Sequence, residues 1–202
     1  FTIKLNPVAD TPNITDAETY EDIMSSSGLV ITRNAVDSEE VTHFKITGIT
    51  NGTLYQNNGS TSITNNEFIT FAEGNTGLKF DPDEDYYGSG FITIQASVSS
   101  SNGGLGGSQV TATITVDPVA DTPSITAAST LEDNITSSGL VISRNTVDGS
   151  EVTHFKITGI TNGTLYQNNG STVISNNDFI SFSEGSSGLK FNPDEDYYGS
   201  EF

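Results

Sequence analysis

The chain has 202 residues, with 26 Asp and Glu against 7 Lys and Arg, a formal net charge of -19 and a pI near 4.1. That charge repels phosphate backbones and anionic membrane surfaces and argues against nucleic acid as a partner, and no apolar stretch approaches the roughly 20 residues that span a bilayer. Cysteine is absent, which excludes a disulfide framework, a thiol nucleophile and zinc sites of the Cys type.

Short runs of alternating apolar and polar residues follow one another along the chain: LVITR (Leu29 to Arg33), VTHFKIT (Val41 to Thr47), TLYQ (Thr53 to Gln56), EFITF (Glu67 to Phe71), LKF (Leu78 to Phe80), FITIQASV (Phe91 to Val98) and VTATITV (Val110 to Val116). Each predicts a β-strand half-buried on one face. Asn51-Gly52, Asn58-Gly59 and Asn102-Gly103 fall between them, supplying the positive φ angles of tight hairpins. GGLGG at Gly103 to Gly107 predicts a flexible hairpin loop, since it lies between two strands and opens no helix. About seven strands per repeat, with turn signals every 8 to 12 residues, predict an all-β fold, a tandem Greek-key β-sandwich of the immunoglobulin-like kind.

An internal repeat sets the organisation. Pro7 recurs as Pro118 in the phrase PVADTP, an offset of 111, and the string VTHFKITGITNGTLYQNNGST from Val41 returns unchanged from Val152. Residues 1–91 align with 112–202 without a gap, with roughly three quarters of positions identical, and a period this long predicts whole domains as repeats. The opening FTIKL matches ATITV at Ala112 to Val116. The expected organisation is therefore residues 1–5 as the last strand of a preceding repeat, 6–116 as a complete repeat, and 117–202 as a second repeat lacking its final two strands. No signal peptide opens the chain at Phe1, and the segment is expected to come from a longer polypeptide. A repeat without its last strands exposes edges, so strand exchange with a neighbouring molecule, FTIKL being one donor, is expected there.

Acidic residues cluster at equivalent places in the two copies: Glu21 and Asp22 with Glu132 and Asp133; Asp37 and Glu40 with Asp148 and Glu151; Asp83, Glu84 and Asp85 with Asp194, Glu195 and Asp196; and Asp10 with Asp121. Calcium takes six to eight oxygen ligands gathered by loops, so these clusters are candidate Ca²⁺ ligands, against the plainer reading of solvated acidic surface. DPDEDYYG from Asp81 fails as an EF-hand, because Gly is absent from its sixth position and Ile92 stands where the bidentate Glu belongs. The other reading of that stretch is an acidic turn whose tyrosines close the core. His43 and His154, each a lone strand histidine, read as structural. Paired carboxylates alone do not make a glycosidase, and with no tryptophan for sugar stacking no catalytic centre is expected. The Asn-x-Ser/Thr sequons, such as Asn13 and Asn134, read as turn chemistry.

DPVADTP (Asp117 to Pro123) follows a strand and sets Asp117 and Asp121 in a proline-stiffened connector. Together with the Glu132-Asp133 pair, the NGTL turn from Asn162 and GLKFNPDEDYYG from Gly188, it resembles the cadherin-like tandem repeats of large bacterial surface proteins. The resemblance implies calcium-dependent, extracellular, secreted or cell-surface modules of an adhesin, stacked on neighbouring repeats of the same chain. It places metal ligands on Asp117, Asp121, Glu21, Asp22, Glu132 and Asp133. Where such relatives carry a D-x-D-like loop after the second strand, RNAVD and RNTVD leave only Asp37 and Asp148 matching. The expected function is a non-catalytic, calcium-stabilised spacer or adhesion repeat. The alternative is a module that binds cell-surface polysaccharide or another copy of itself, which an exposed Tyr55 and Tyr86 pair would favour.

Overall fold

The computed structural model describes residues 1–199, and they are mostly β-strand. They fall into two compact units, Phe1–Val119 and a second from Ala120 onward.

In the first unit the strands are β1 (Asn13–Ile14), β2 (Ala17–Tyr20), β3 (Ile31–Thr32), β4 (His43–Thr50), β5 (Gly52–Tyr55), β6 (Ser62–Ile63) and β7 (Phe68–Thr70). A short helix α1 (Phe71–Asn75), β8 (Lys79–Pro82), β9 (Gly88–Ser97), a 3₁₀ turn (Asn102–Gly104) and β10 (Leu105–Asp117) complete it. Three sheets result, in the orders β2-β10-β9-β4-β7, β6-β5-β8 and β1-β3. The alternation in VTHFKIT does what period-two patterning requires: Phe44 and Ile46 are buried between half-buried His43, Lys45 and Thr47. β9 and β10 add Ile92, Ile94, Ala96, Ala112, Ile114 and Val116 to the same core. Pro82, which cannot donate to a ladder, ends β8 at the edge of its sheet.

Several elements differ from the sequence expectation; LVITR, for one, keeps only Ile31–Thr32 as strand, with Leu29 at φ +51°. EFITF was expected to be strand throughout, yet Phe71 opens α1. Thr70 takes an extended N-cap conformation and accepts from the Glu73 N–H, while the Glu73 carboxylate accepts from the Thr70 N–H at 2.7 Å, a reciprocal capping box. The expected loop GGLGG is instead largely strand, since β10 starts at Leu105. A Cβ on Gly106 would stand 2.2 Å from the Ala9 carbonyl oxygen, so these glycines admit the backbone of residues 9–11 rather than provide slack. β2 pairs in parallel with β10, Ala17 opposite Ile114 through Tyr20 opposite Asp117, a pairing with no local signal.

The second unit holds β11 (Ser124–Ile125), β12 (Ile142–Ser143), β13 (His154–Lys156), β14 (Gly163–Tyr166), β15 (Val173–Ile174), β16 (Phe179–Ser181), helix α2 (Phe182–Ser186) and β17 (Lys190–Pro193). Its sheets are β11-β12, β13-β16 and β15-β14-β17. The repeated YQNNG segment and the capping box return intact, Ser181 and Glu184 replacing Thr70 and Glu73. Residues 128–131, aligned with β2, form no strand, and β13 has three residues where β4 has eight.

Gly28 joins β2 to β3 at φ +91°, and a Cβ there would meet the Asp16 carbonyl oxygen at 2.5 Å. A left-handed φ and a blocked Cβ compound each other, so Gly28→Ala is expected to lower the first unit's stability by about 2 kcal/mol or more. A shift in its urea midpoint reads this out, and an unchanged midpoint would contradict it.

Glu73 carries a second prediction. Hydrogen bonds from the Thr70 backbone N–H, then from its hydroxyl, hold the Glu73 carboxyl below its ordinary 4.5. Because the folded value is depressed, the stabilisation is fully present above the unfolded value and fades as pH falls below about 4.5. Glu73→Gln keeps the box geometry without the charge, so the stability gap from the parent should be open at neutral pH and close in acid. A gap that stays constant with pH would contradict this.

Candidate carboxylate sites

The carboxylates gather at two places in the first unit. At the first, the Glu21 N–H bonds the Asp117 carbonyl at 3.0 Å, and the Glu21 carboxylate, 7% exposed, accepts from the Val119 N–H. The parallel β2–β10 pair ends here, which is why residues 98 apart in sequence meet. Asp22 takes φ +57° and its Oδ1 accepts from the Asp85 N–H at 3.0 Å; Asp85 is itself left-handed at φ +56°. Asp83 turns the chain, its N–H on the Asn51 carbonyl and its carbonyl accepting from the Tyr86 N–H. Asp83 and Glu84 are exposed and Asp85 half-buried. One end of the unit thus brings Glu21, Asp22, Asp85 and the backbone of Asp117 together.

The second place is the loop after β3. Both Asp37 carboxylate oxygens accept from the Asp10 N–H, at 3.2 and 3.1 Å, and Asn34 donates to the Thr11 carbonyl at 2.9 Å. Glu40 accepts from the Ser38 hydroxyl, and that bond, with Arg33 nearby, holds its carboxyl below the ordinary range. Arg33 lies 3.7 Å over the Phe71 ring and donates Nε–H to the Val41 carbonyl at 2.7 Å. A stacked guanidinium of this kind is a fixed cation, so the protein supplies its own positive charge beside this loop.

The second unit repeats most of this. The Asp196 N–H donates to Asp133 Oδ1 at 3.1 Å, the Asp121 N–H to Asp148 Oδ1 at 3.1 Å, and the Gly149 N–H to the Glu151 carboxylate. Arg144 again lies 3.7 Å over a ring, that of Phe182. Three features differ, one being that Asp196 is exposed where Asp85 is half-buried. Glu132 is exposed where Glu21 is buried, because Glu21 owes its burial to residues 117–119 and nothing in this chain aligns with them in the second copy. Asp148 Oδ2 is buried with no hydrogen-bond partner. Asp194 and Glu195 are exposed, like Asp83 and Glu84.

Among the described residues no three or more His, Asp or Glu side chains converge as a metal-binding group. The bonds that join the candidate residues run from backbone N–H to carboxylate, and a six-to-eight-oxygen shell would need backbone carbonyls and water as well. The unpartnered Asp148 oxygen is the feature that fits an ion, since a buried carboxylate oxygen without a donor is costly.

Sequence reasoning missed the arginine stack and the Gln56–Glu73 and Gln167–Glu184 bonds at 2.8 and 2.6 Å. The T-x-x-E and S-x-x-E spacing of the capping box was the readable signal for the glutamates. Gln167 and Glu184 also line a shallow cavity of about 230 Å³ with Asn168, Asn169, Ser183 and Ser187. Asn168 donates to the Ser187 and Gly188 carbonyls, so those amides are engaged by the protein. Tyr86 packs against the first core and its hydroxyl joins Asn51 to the Ser89 carbonyl, while Tyr55 is half-buried; the two do not form an exposed stacking pair. The histidines sit in β4 and β13 beside Thr42 and Thr153 hydroxyls. Compared with protein-family models, with curated proteins and with solved structures, the chain finds no match.

Proposed function

We propose that this chain is a non-catalytic, calcium-stabilised spacer of an extracellular surface protein, built from tandem Greek-key, cadherin-like β-sandwich repeats. One observation carries the reading: the same carboxylate-to-backbone ties recur 111 residues apart. Asp22 on Asp85 returns as Asp133 on Asp196, and Asp37 on Asp10 as Asp148 on Asp121. A spacer repeats its fastenings, whereas a dedicated binding or catalytic domain would be expected to differ from its neighbour.

Calcium enters at those fastenings. Glu21, Asp22, Asp83, Asp85 and Asp117 would hold it at one end of the first unit, and Asp148 with Asp121 and Glu151 in the second. The ion would neutralise carboxylates that otherwise repel one another across a chain of net charge -19. An ion held by the folded state alone stabilises it by about 2.7 kcal/mol at a hundredfold excess over its Kd.

The test is calorimetric titration with Ca²⁺, and with Mg²⁺ as the harder, octahedral control. Saturable calcium heat is expected, reduced in Asp22→Asn and again in Asp148→Asn. Absence of calcium heat would remove the ion from the account and leave polysaccharide binding or self-association to be screened.

A further inference from the structure

Asn-Gly occurs five times, at 51–52, 58–59, 102–103, 162–163 and 169–170. In such a pair the glycine nitrogen can attack the asparagine side chain, because glycine brings no Cβ to obstruct the approach and has the widest backbone freedom. Four of the five are engaged by the fold. Asn58 Oδ1 accepts from the Ser60 and Thr61 N–H groups, and the Gly59 N–H is held by the Gln56 carbonyl at 2.9 Å. Asn169 and Gly170 repeat that arrangement. Asn51 donates its side-chain amide to Tyr86 Oη and the Ser89 carbonyl, and Gly52 lies in β5 with the Asp81 carbonyl close against it. Asn162 shares the left-handed φ of Asn51, and Gly163 is packed against Phe191 and the Asn192 carbonyl.

Asn102 differs in having an open backbone around its glycine and a cation on its side-chain oxygen. It opens the 3₁₀ turn between β9 and β10, both it and Gly103 are exposed, and the nearest atom to a Cβ built on Gly103 is Ser101 Oγ at 3.9 Å. Its Oδ1 accepts from Lys45 Nζ at 2.9 Å, reached across from β4. An ammonium on a carbonyl oxygen draws electron density from its carbon and stabilises the oxyanion that forms on attack.

We propose that Asn102 is a self-processing deamidation site and that Lys45 assists it. The Gly103 nitrogen loses its proton to solvent and bonds to Asn102 Cγ. The Cγ–Nδ2 bond breaks as the departing nitrogen takes a proton from solvent, ammonia leaves, and a five-membered succinimide remains. Water then opens the ring to aspartate or isoaspartate, with no oxidant or reductant required. The product carboxylate faces the Lys45 ammonium. Isoaspartate also lengthens the backbone by one methylene inside a turn whose Gly104 N–H bonds Ser101 and whose Gly104 carbonyl accepts from Val98, so the β9–β10 connection is where ageing of the molecule would register.

Peptide mapping by mass spectrometry of the folded chain, aged at mildly alkaline pH, tests this. Conversion at Asn102 should outrun each of the other four sites. Lys45→Met should slow it about tenfold, less than the hundredfold or more of an enclosed oxyanion donor because the turn is solvated, and Lys45→Arg should restore most of it. Circular dichroism verifies that both variants remain folded. Equal conversion at all five sites, or a rate indifferent to Lys45→Met, would overturn the proposal. So would a stable, hydroxylamine-resistant link between residues 45 and 102 with loss of ammonia, since that would show the lysine as nucleophile.

Discussion

Phe44→Ala is expected to cost the first unit about 3–5 kcal/mol, a large share of the ~5–15 kcal/mol that holds a domain of this kind together. Phe44 has no solvent exposure, and β4 is held on both sides, with Phe44 opposite Ala96 on β9 and Ile69 on β7. Its ring centroid is 6.1 Å from that of Phe71, and the Gly74 Cβ position is 3.0 Å from the ring. Neighbours fixed by two ladders cannot collapse into the void, so the cavity cost persists. Phe155, the aligned residue, is 5% exposed and its strand β13 pairs with β16 alone among the described strands. Phe155→Ala should therefore cost less, because its site can relax and admit water. Denaturant unfolding followed by circular dichroism measures both; a larger loss for Phe155→Ala would contradict this account of the two cores.

The second large effect concerns the units' unequal stability. β9 and β10 supply Ile92, Ile94, Ala96, Ala112, Ile114 and Val116 to the first core, each 2% exposed or less. Residues 112–202 align with 1–91, so no residue of this chain aligns with Ile92–Asp117 in the second copy. Phe80 is fully buried whereas Phe191 is 8% exposed, and Leu131 on the strandless segment is 76% exposed. Each large apolar side chain removed from water is worth about 1.5–3 kcal/mol before the entropy of ordering its strand is subtracted. The second unit should therefore unfold first, in a separate transition. Appending the sequence Ile92–Asp117 after Phe202 should raise its midpoint toward that of the first unit and convert residues 128–131 to strand. If the appended chain leaves both midpoints where they were, residues 128–131 do not wait for a partner strand.

Much of this was legible because period-two alternation is a local signal: VTHFKIT and FITIQASV became β4 and β9 with the expected faces inward. The Asn-Gly turns were legible in part: Asn51 takes φ +62° between β4 and β5 and Gly59 takes φ +66°, whereas neither Asn102 nor Gly103 has a positive φ and that pair opens a 3₁₀ turn instead of a tight hairpin. The helix at Phe71 was hidden because the alternation of EFITF runs through it, and only the Thr70–Glu73 spacing marked the break. The candidate carboxylates were legible as clusters but not as pairs. Asp22 meets Asp85 across 63 residues, and Glu21 meets Val119 across 98; no spacing in sequence announces either. Arg33, adjacent to the acidic loop in sequence, revealed only in three dimensions that its guanidinium is fixed on an aromatic ring.

The central claim, a calcium-stabilised spacer, is tested most directly by thermal melting of the chain followed by circular dichroism, in Ca²⁺, in Mg²⁺ and in EDTA. The account predicts that calcium raises the midpoint of at least one unit by several degrees, that EDTA reverses the shift, and that Asp22→Asn diminishes the first unit's share. Midpoints that coincide in all three conditions would contradict it and leave the acidic residues as solvated surface and backbone caps.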